Sequence, residues 1–277
     1  MSWTEPNHQA WRKKCSRISA VKITQEVIKN LLDACDEGVP DQTRLDIDVS
    51  YARGSGVSLS FEVSGPASLA FEDGSKPWTL FASGLEDDHK LRGRLGRCLK
   101  QLLGVMDIME VSTSDKALRW TWDGQKKVRE PGKGTRKKGI FVSGTAGLWD
   151  SKDYAAIRGF VSGIQSRETS IYLNGKHVPP SEEALRTYKM SLPTVTFDEE
   201  GQSWMPSRKC HVEVFHSGYA DRATLYEMGI PVDLIKGPWS LNVRQRVPLD
   251  KKGKPKGFYV RNLRAGVLDR MIEEELR

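Results

Sequence analysis

The segment ISAVKITQEVIKNLLDACDE, residues 18–37, constrains the fold of this chain more than any other. Val27, Ile28, Leu31, Leu32 and Ala34 recur at helical spacing, so the segment reads as a helix with one face toward a core. Thr24 is placed to cap its start, and Gly38 followed by Pro40 ends it. Glu26, Asn30 and Asp33 stand at i, i+4 and i+7 and share a face. A solvated polar stripe would explain that spacing by itself. Asn30 argues against it, because Asn is a poor helix former. It also lies among Ile28, Leu31 and Leu32, where a polar group needs a partner.

Strand signals follow. Leu45–Tyr51 and Val57–Val63 alternate around a Gly-Ser-Gly turn and read as antiparallel strands. SLAFED reads as a third strand ending at Asp73-Gly74, and RGRLGRCLKQLLGV as a glycine turn entering a helix. DIMEVST and ALRWTWDG read as two more strands, KKVREPGKGTRKKG as a basic loop, and IFVSG as a closing strand. Helices on one face of a mixed or antiparallel sheet make an α+β two-layer sandwich. The expected organisation is a polar arm over 1–17, the sandwich over 18–148, and a smaller α+β region over 149–277. That last region should hold a helix in DYAAIRGFVSGIQ and a hairpin turning on Asn174-Gly175. Strands are expected in TVTFDEEGQSWMP and KCHVEVFHS, a short helix in DRATLYEMGI, and an amphipathic helix at the end.

No apolar run approaches the roughly 20 residues of a membrane span, so no membrane partner is expected. Cys15, Cys35, Cys98 and Cys210 are scattered without a CxxC pair, which fits reduced thiols in the cytoplasm. The net charge of +7 is concentrated. Residues 126–138 carry seven basic side chains against Glu130, and residues 236–264 carry nine against Asp250. Clustered positive charge is the footprint of polyanion binding. Arg244, Arg246, Lys251, Lys252, Lys254 and Lys256 are therefore candidates for nucleic-acid contact, with Trp239, Phe258 and Tyr259 available for stacking. A protein–protein surface is the alternative.

Two segments add chemistry to the helix. In FEDGSKP an acidic residue precedes a glycine turn at a strand end, where a carboxylate can accept from an adenine amino group. In GRLGRCLK glycines open a helix, whose first N–H groups suit phosphate. The order ExxxNxxDA, acidic-x-Gly, GxxGxxLK resembles the GHKL (Bergerat-fold) ATPases. That family includes gyrase-type topoisomerases, MutL, heat-shock chaperones and sensor histidine kinases. The resemblance runs from Ile18 to Gly144.

The resemblance implies an ATP-binding domain over 18–148 and a reduced transducer after it. It implies that Glu26 is the general base and that Asn30 supplies an oxygen to magnesium. It adds Asp33, Glu72 or Asp73, Gly74, Gly93, Gly96 and Lys100 to the ATP-binding set. Lys76 and Cys98 replace glycines common in the family. The expected function is a magnesium-dependent ATPase whose lid closure controls dimerisation or engagement of DNA or a DNA-processing partner. The alternative is a nucleotide-binding or interaction module of the same fold that hydrolyses nothing.

Overall fold

The computed structural model describes residues 8–36, 43–64, 98–112, 116–134, 139–180, 183–197, 203–250 and 254–276. They form two compact units, and the first takes in the described residues up to Pro179 apart from Ile164–Ser166.

The first unit opens with helices α1 (His8–Cys15) and α2 (Ala20–Asp36) and strands β1 (Arg44–Ala52) and β2 (Gly56–Ser64). Helix α3 (Cys98–Val105) leads into β3 (Ile108–Ser112), β4 (Lys116–Trp122), β5 (Lys127–Lys133) and β6 (Ile140–Ala146). Helix α4 (Ser151–Ser162) and the hairpin β7 (Ser170–Leu173) and β8 (Lys176–Val178) complete it. The eight strands make one mixed sheet in the order β5-β4-β3-β6-β2-β1-β7-β8, with only β1 and β7 parallel. Because β7 pairs with β1 and α4 packs on α2, the sandwich continues past residue 148.

Alternation sets the faces of this sheet. Leu45, Ile47, Val49, Leu59, Phe61 and Val142 point to one side and are at most 2% exposed. Helices α2 and α4 pack against this unit's strands. The other side carries Asp48, Ser58, Ser60, Glu110, Arg119 and Thr145, as expected of a sheet covered on one face. Asn174 (φ 49°) and Gly175 (φ 73°) form the expected β7–β8 turn. Asn174 also clamps β1, accepting from Val49 N at 2.7 Å and donating to Val49 O at 3.1 Å.

Three local expectations are corrected. The polar arm contains α1, whose Cys15 is fully buried; Gly104 of α3 leaves room for its sulfur, since a Cβ there would lie 2.6 Å from it. Arg12 of α1 bonds Asp107, and His8 Nδ1 accepts from Lys127 N at 3.0 Å. Thr24 lies inside α2 rather than at its start; Ser19 occupies the cap position, its Oγ accepting from Lys22 N. The basic segment 126–138 contains strand β5, which lacks apolar alternation because it is an exposed edge strand held by backbone pairing to β4.

The second unit is built on β9 (Arg186–Pro193), β12 (Ser207–His216), β13 (Arg222–Glu227), β14 (Ile230–Lys236) and β15 (Trp239–Val243). A short pair, β10 (Thr196–Phe197) and β11 (Ser203–Trp204), interrupts the run. The five-stranded sheet has the order β14-β13-β15-β12-β9. Its core joins Leu192, Val212, Val214, Leu225 and Leu241 to Tyr259, Leu263 and Val267 of the final helix, α5 (Gly257–Glu275). The segment expected as a short helix, DRATLYEMGI, is instead β13 and the turn into β14. Met228 (φ 47°) and Gly229 (φ 83°) make that turn, and Asn242 Oδ1 accepts from Gly229 N at 2.8 Å.

Candidate functional site

Helix α2 is buried along much of its described length. Ile23, Val27, Ile28, Leu31, Leu32 and Cys35 are at most 1% exposed, and no residue from Ile23 to Asp33 is fully exposed. A helix face packed into a core is ordinarily apolar. This one carries Glu26, Lys29, Asn30 and Asp33 at i, i+3, i+4 and i+7, so four polar side chains share one face, Lys29 and Asp33 buried and Glu26 and Asn30 half-buried. Asp33 is 3% exposed and Lys29 is 1% exposed. A fully solvated stripe therefore does not describe this face.

The contacts within the face are directional. Lys29 Nζ lies 3.6 Å from Glu26 Oε1, with the carboxylate side chain 22% exposed. A buried ammonium is costly unless paired, so this contact holds the carboxylate to one side of the helix. Asn30 Nδ2 donates to the Glu26 backbone oxygen at 3.0 Å. That bond ties the amide to the preceding turn of the helix. Lys29 was not singled out from sequence. Its signal is a lysine one turn beyond Glu26 on a helix otherwise fit for a core.

The glycine turns fall elsewhere. Glu72, Asp73, Gly74, Gly93 and Gly96 lie outside the described residues. Lys100 is on helix α3, which packs against α2. The basic segment 127–133 stands at the far edge of the sheet from β1, five strand spacings or about 24 Å across. It is thus distant from the strand on which α2 packs.

The C-terminal candidates separate. Arg246 is fully buried and unavailable to a nucleic acid; its backbone oxygen accepts from Thr194 Oγ1 at 2.9 Å. Tyr259 is 1% exposed and belongs to the core, so it offers no stacking face. Arg244 is half-buried. Lys254 is exposed in a turn closed by its N–H to Asp250 Oδ1 at 2.9 Å, and Lys256 Nζ approaches Met205 Sδ. Lys251 and Lys252 lie outside the described residues.

Among the described residues, no group of three His, Cys, Asp or Glu side chains is arranged to hold a metal. Cys15, Cys35 and Cys210 are buried and stand outside any disulfide among the described residues, and burial pushes the thiols of Cys15 and Cys210 up to about 11. No described helix is long and apolar enough to cross a membrane.

No family model matches the chain, and no curated protein matches it in sequence. Solved structures do resemble it. The ATPase region of Saccharomyces cerevisiae topoisomerase II superposes with a TM-score of 0.51 at 14% identity, covering 76% of this chain and 62% of that one. The same region bound to ICRF-187 (dexrazoxane) gives 0.50 at 14% identity with the same coverage. The N-terminal domain of a DNA repair protein gives 0.46 at 15% identity, covering 89% of this chain and 90% of that one. The topoisomerase likeness shows the fold alone: an α+β, Bergerat-type sandwich. The chain spans about 62% of the length of those ATPase regions.

Proposed function

We propose that this chain binds MgATP over the polar face of α2 and hydrolyses it, with Glu26 as general base. The supporting observation is the presence of Glu26, Lys29, Asn30 and Asp33 on one partly buried helix face inside a Bergerat-type sandwich. An amide oxygen flanked by two carboxylates suits magnesium carried on phosphates. That ion keeps several waters and needs few protein oxygens. Asn30 would supply the protein ligand, and the ion would neutralise charge on the phosphates.

In this reading Glu26 takes a proton from the water whose oxygen bonds to the γ-phosphorus. The P–O bond to the β-phosphate breaks, giving ADP and inorganic phosphate. Such chemistry is mainly positioning and charge stabilisation. By the resemblance, Glu72 or Asp73 with Gly74 would meet adenine, and Gly93, Gly96 and Lys100 the phosphates. Nucleotide-driven closure would control dimerisation or engagement of a nucleic-acid partner in the cytoplasm, with the second unit acting as a reduced transducer.

Steady-state phosphate release tests the assignment. Glu26→Gln should lower turnover by about 10²- to 10⁴-fold while MgATP still stabilises the protein. Undiminished turnover in Glu26→Gln would remove Glu26 from the reaction. Stabilisation of the wild type without any turnover would favour the non-hydrolysing module.

A further inference from the structure

A cavity of about 460 Å³ opens in the second unit between α5 and the turn from β14 to β15. Its lining combines three cations, Lys236, Arg261 and Arg264, with apolar surface from Trp239 and Leu268. Arg261, Arg264 and Leu268 stand at i, i+3 and i+7, so α5 offers them along one flank. The adjacent stripe, Tyr259, Leu263 and Val267, is fixed in the core, which sets the direction of that flank. Gly237 has φ +124°, and a Cβ there would lie 3.3 Å from Arg264 Nη2. The turn therefore brings its backbone close to the guanidinium.

Charge pairing along α5 is uneven. Toward its C-terminus, Arg270 meets Glu273 at 3.0 Å, and Glu274 is met by Arg186 at 3.3 Å. Among the described residues, no carboxylate pairs with Lys236, Arg261 or Arg264. Like charges converging on apolar surface are stabilised by an anionic ligand with a flat apolar part. A nucleotide has both: phosphates for the cations and a base for Trp239. The cavity is of the size that takes small ligands, so it admits unpaired nucleotides rather than stacked base pairs.

We infer that this cleft is a binding site for single-stranded nucleic acid, gripping phosphates through Lys236, Arg261 and Arg264 and a base against Trp239. The inference rests on the proposal that the partner is a nucleic acid, and it is independent of the ATP site on α2. It moves the contact from Arg246 and the 251–256 lysines to a cleft built from two separate segments.

Fluorescence anisotropy of a labelled oligothymidylate with the full chain tests it. Binding should weaken steeply with salt. The double variant Arg261→Glu, Arg264→Glu should bind at least tenfold more weakly, with a shallower salt slope. Trp239→Leu should weaken binding by roughly five- to a hundredfold, the cost of losing one stacked base. Arg264→Gln, which removes one charge without adding another, guards against misfolding, as do matching melting curves.

No binding by the wild type would overturn both the cleft and the nucleic-acid partner. Wild-type binding unchanged in every variant would overturn the cleft alone. Equal affinity for an acidic peptide, insensitive to Trp239→Leu, would replace the nucleic acid with an acidic protein segment and so overturn the inference. The MgATP-induced melting shift, read in the same samples, reports on the α2 site separately.

Discussion

Lys29 Nζ lies 3.6 Å from Glu26 Oε1 across one turn of α2, and the lysine side chain is 1% exposed. This contact gives the proposed base a fixed neighbour. Lys29→Met keeps the volume and removes a buried ammonium, while the Glu26 carboxylate, 22% exposed, keeps access to water, so the fold should survive. Without its neighbour, the carboxylate is free to leave the position that meets the water. Misplacement on that scale costs about 10- to 100-fold in rate. The expected result is a fall in kcat of that order with KM for MgATP nearly unchanged. A parallel loss of nucleotide binding would make Lys29 a ligand contact instead.

The two tight hairpins should respond differently to the same substitution. Gly175 has φ +73° and open space where a Cβ would stand, so Gly175→Ala should cost about 1 kcal/mol of backbone strain. Gly229 has φ +83°, and a Cβ there would lie 2.1 Å from the Gln165 backbone oxygen. Gly229→Ala should exceed the first cost by about 2 kcal/mol or more, because strain and a backbone clash combine. Urea unfolding of both variants checks the order.

Asn242 is 2% exposed and joins two elements, accepting from Gly229 N at 2.8 Å and donating to Glu213 Oε2 at 2.6 Å. Asn242→Ala strands a buried N–H and leaves a carboxylate short of a donor. A loss of about 1–3 kcal/mol is expected in the transition that reports the second unit. A change below a few tenths would mean that water replaces the amide.

Lys127 supplies a pH signature. Burial, reinforced by Arg12 and opposed by Asp107, lowers its pKa from 10.5 to about 8. The folded value is the lower one, so between these limits the unfolded chain binds more protons at this site. Stability contributed by this group therefore rises with pH from about 8 to 10.5. Unfolding free energies measured across that window should climb less in Lys127→Met than in the wild type. Identical slopes would show that the ammonium is solvated.

Much of the first unit is legible in the sequence, because alternation and helical spacing encode which face is buried. Leu45–Tyr51 and Val57–Val63 alternate visibly, and β1 and β2 result. Elements whose stability comes from elsewhere are harder to read. Strand β5 lies at an exposed edge and shows no alternation, while α1 is polar and docks through Arg12, His8 and Cys15. In β13, Ala223, Leu225 and Glu227 do alternate, but the last buried position is an acid. Glu227 is satisfied there by Val247 N at 2.7 Å, a long-range bond that no local pattern reveals. The same holds for Arg246, whose place in a basic run suggests exposure although it is fully buried. At the candidate site, spacing put Glu26, Asn30 and Asp33 on one face, and the resemblance gave them roles. The burial of Lys29 and Asp33 distinguishes that face from a fully solvated stripe, and burial is a tertiary property.

The central claim is that this face holds MgATP. Thermal unfolding of the full chain with increasing MgATP, compared with Asn30→Ala, tests it most directly. Nucleotide at about a hundred times its dissociation constant should add roughly 2.7 kcal/mol to the wild type, read as a concentration-dependent rise in Tm. In Asn30→Ala most of that rise should vanish, while the unliganded melting curve stays close to the wild type's. No rise in the wild type at millimolar MgATP, or an equal rise in Asn30→Ala, would contradict the account.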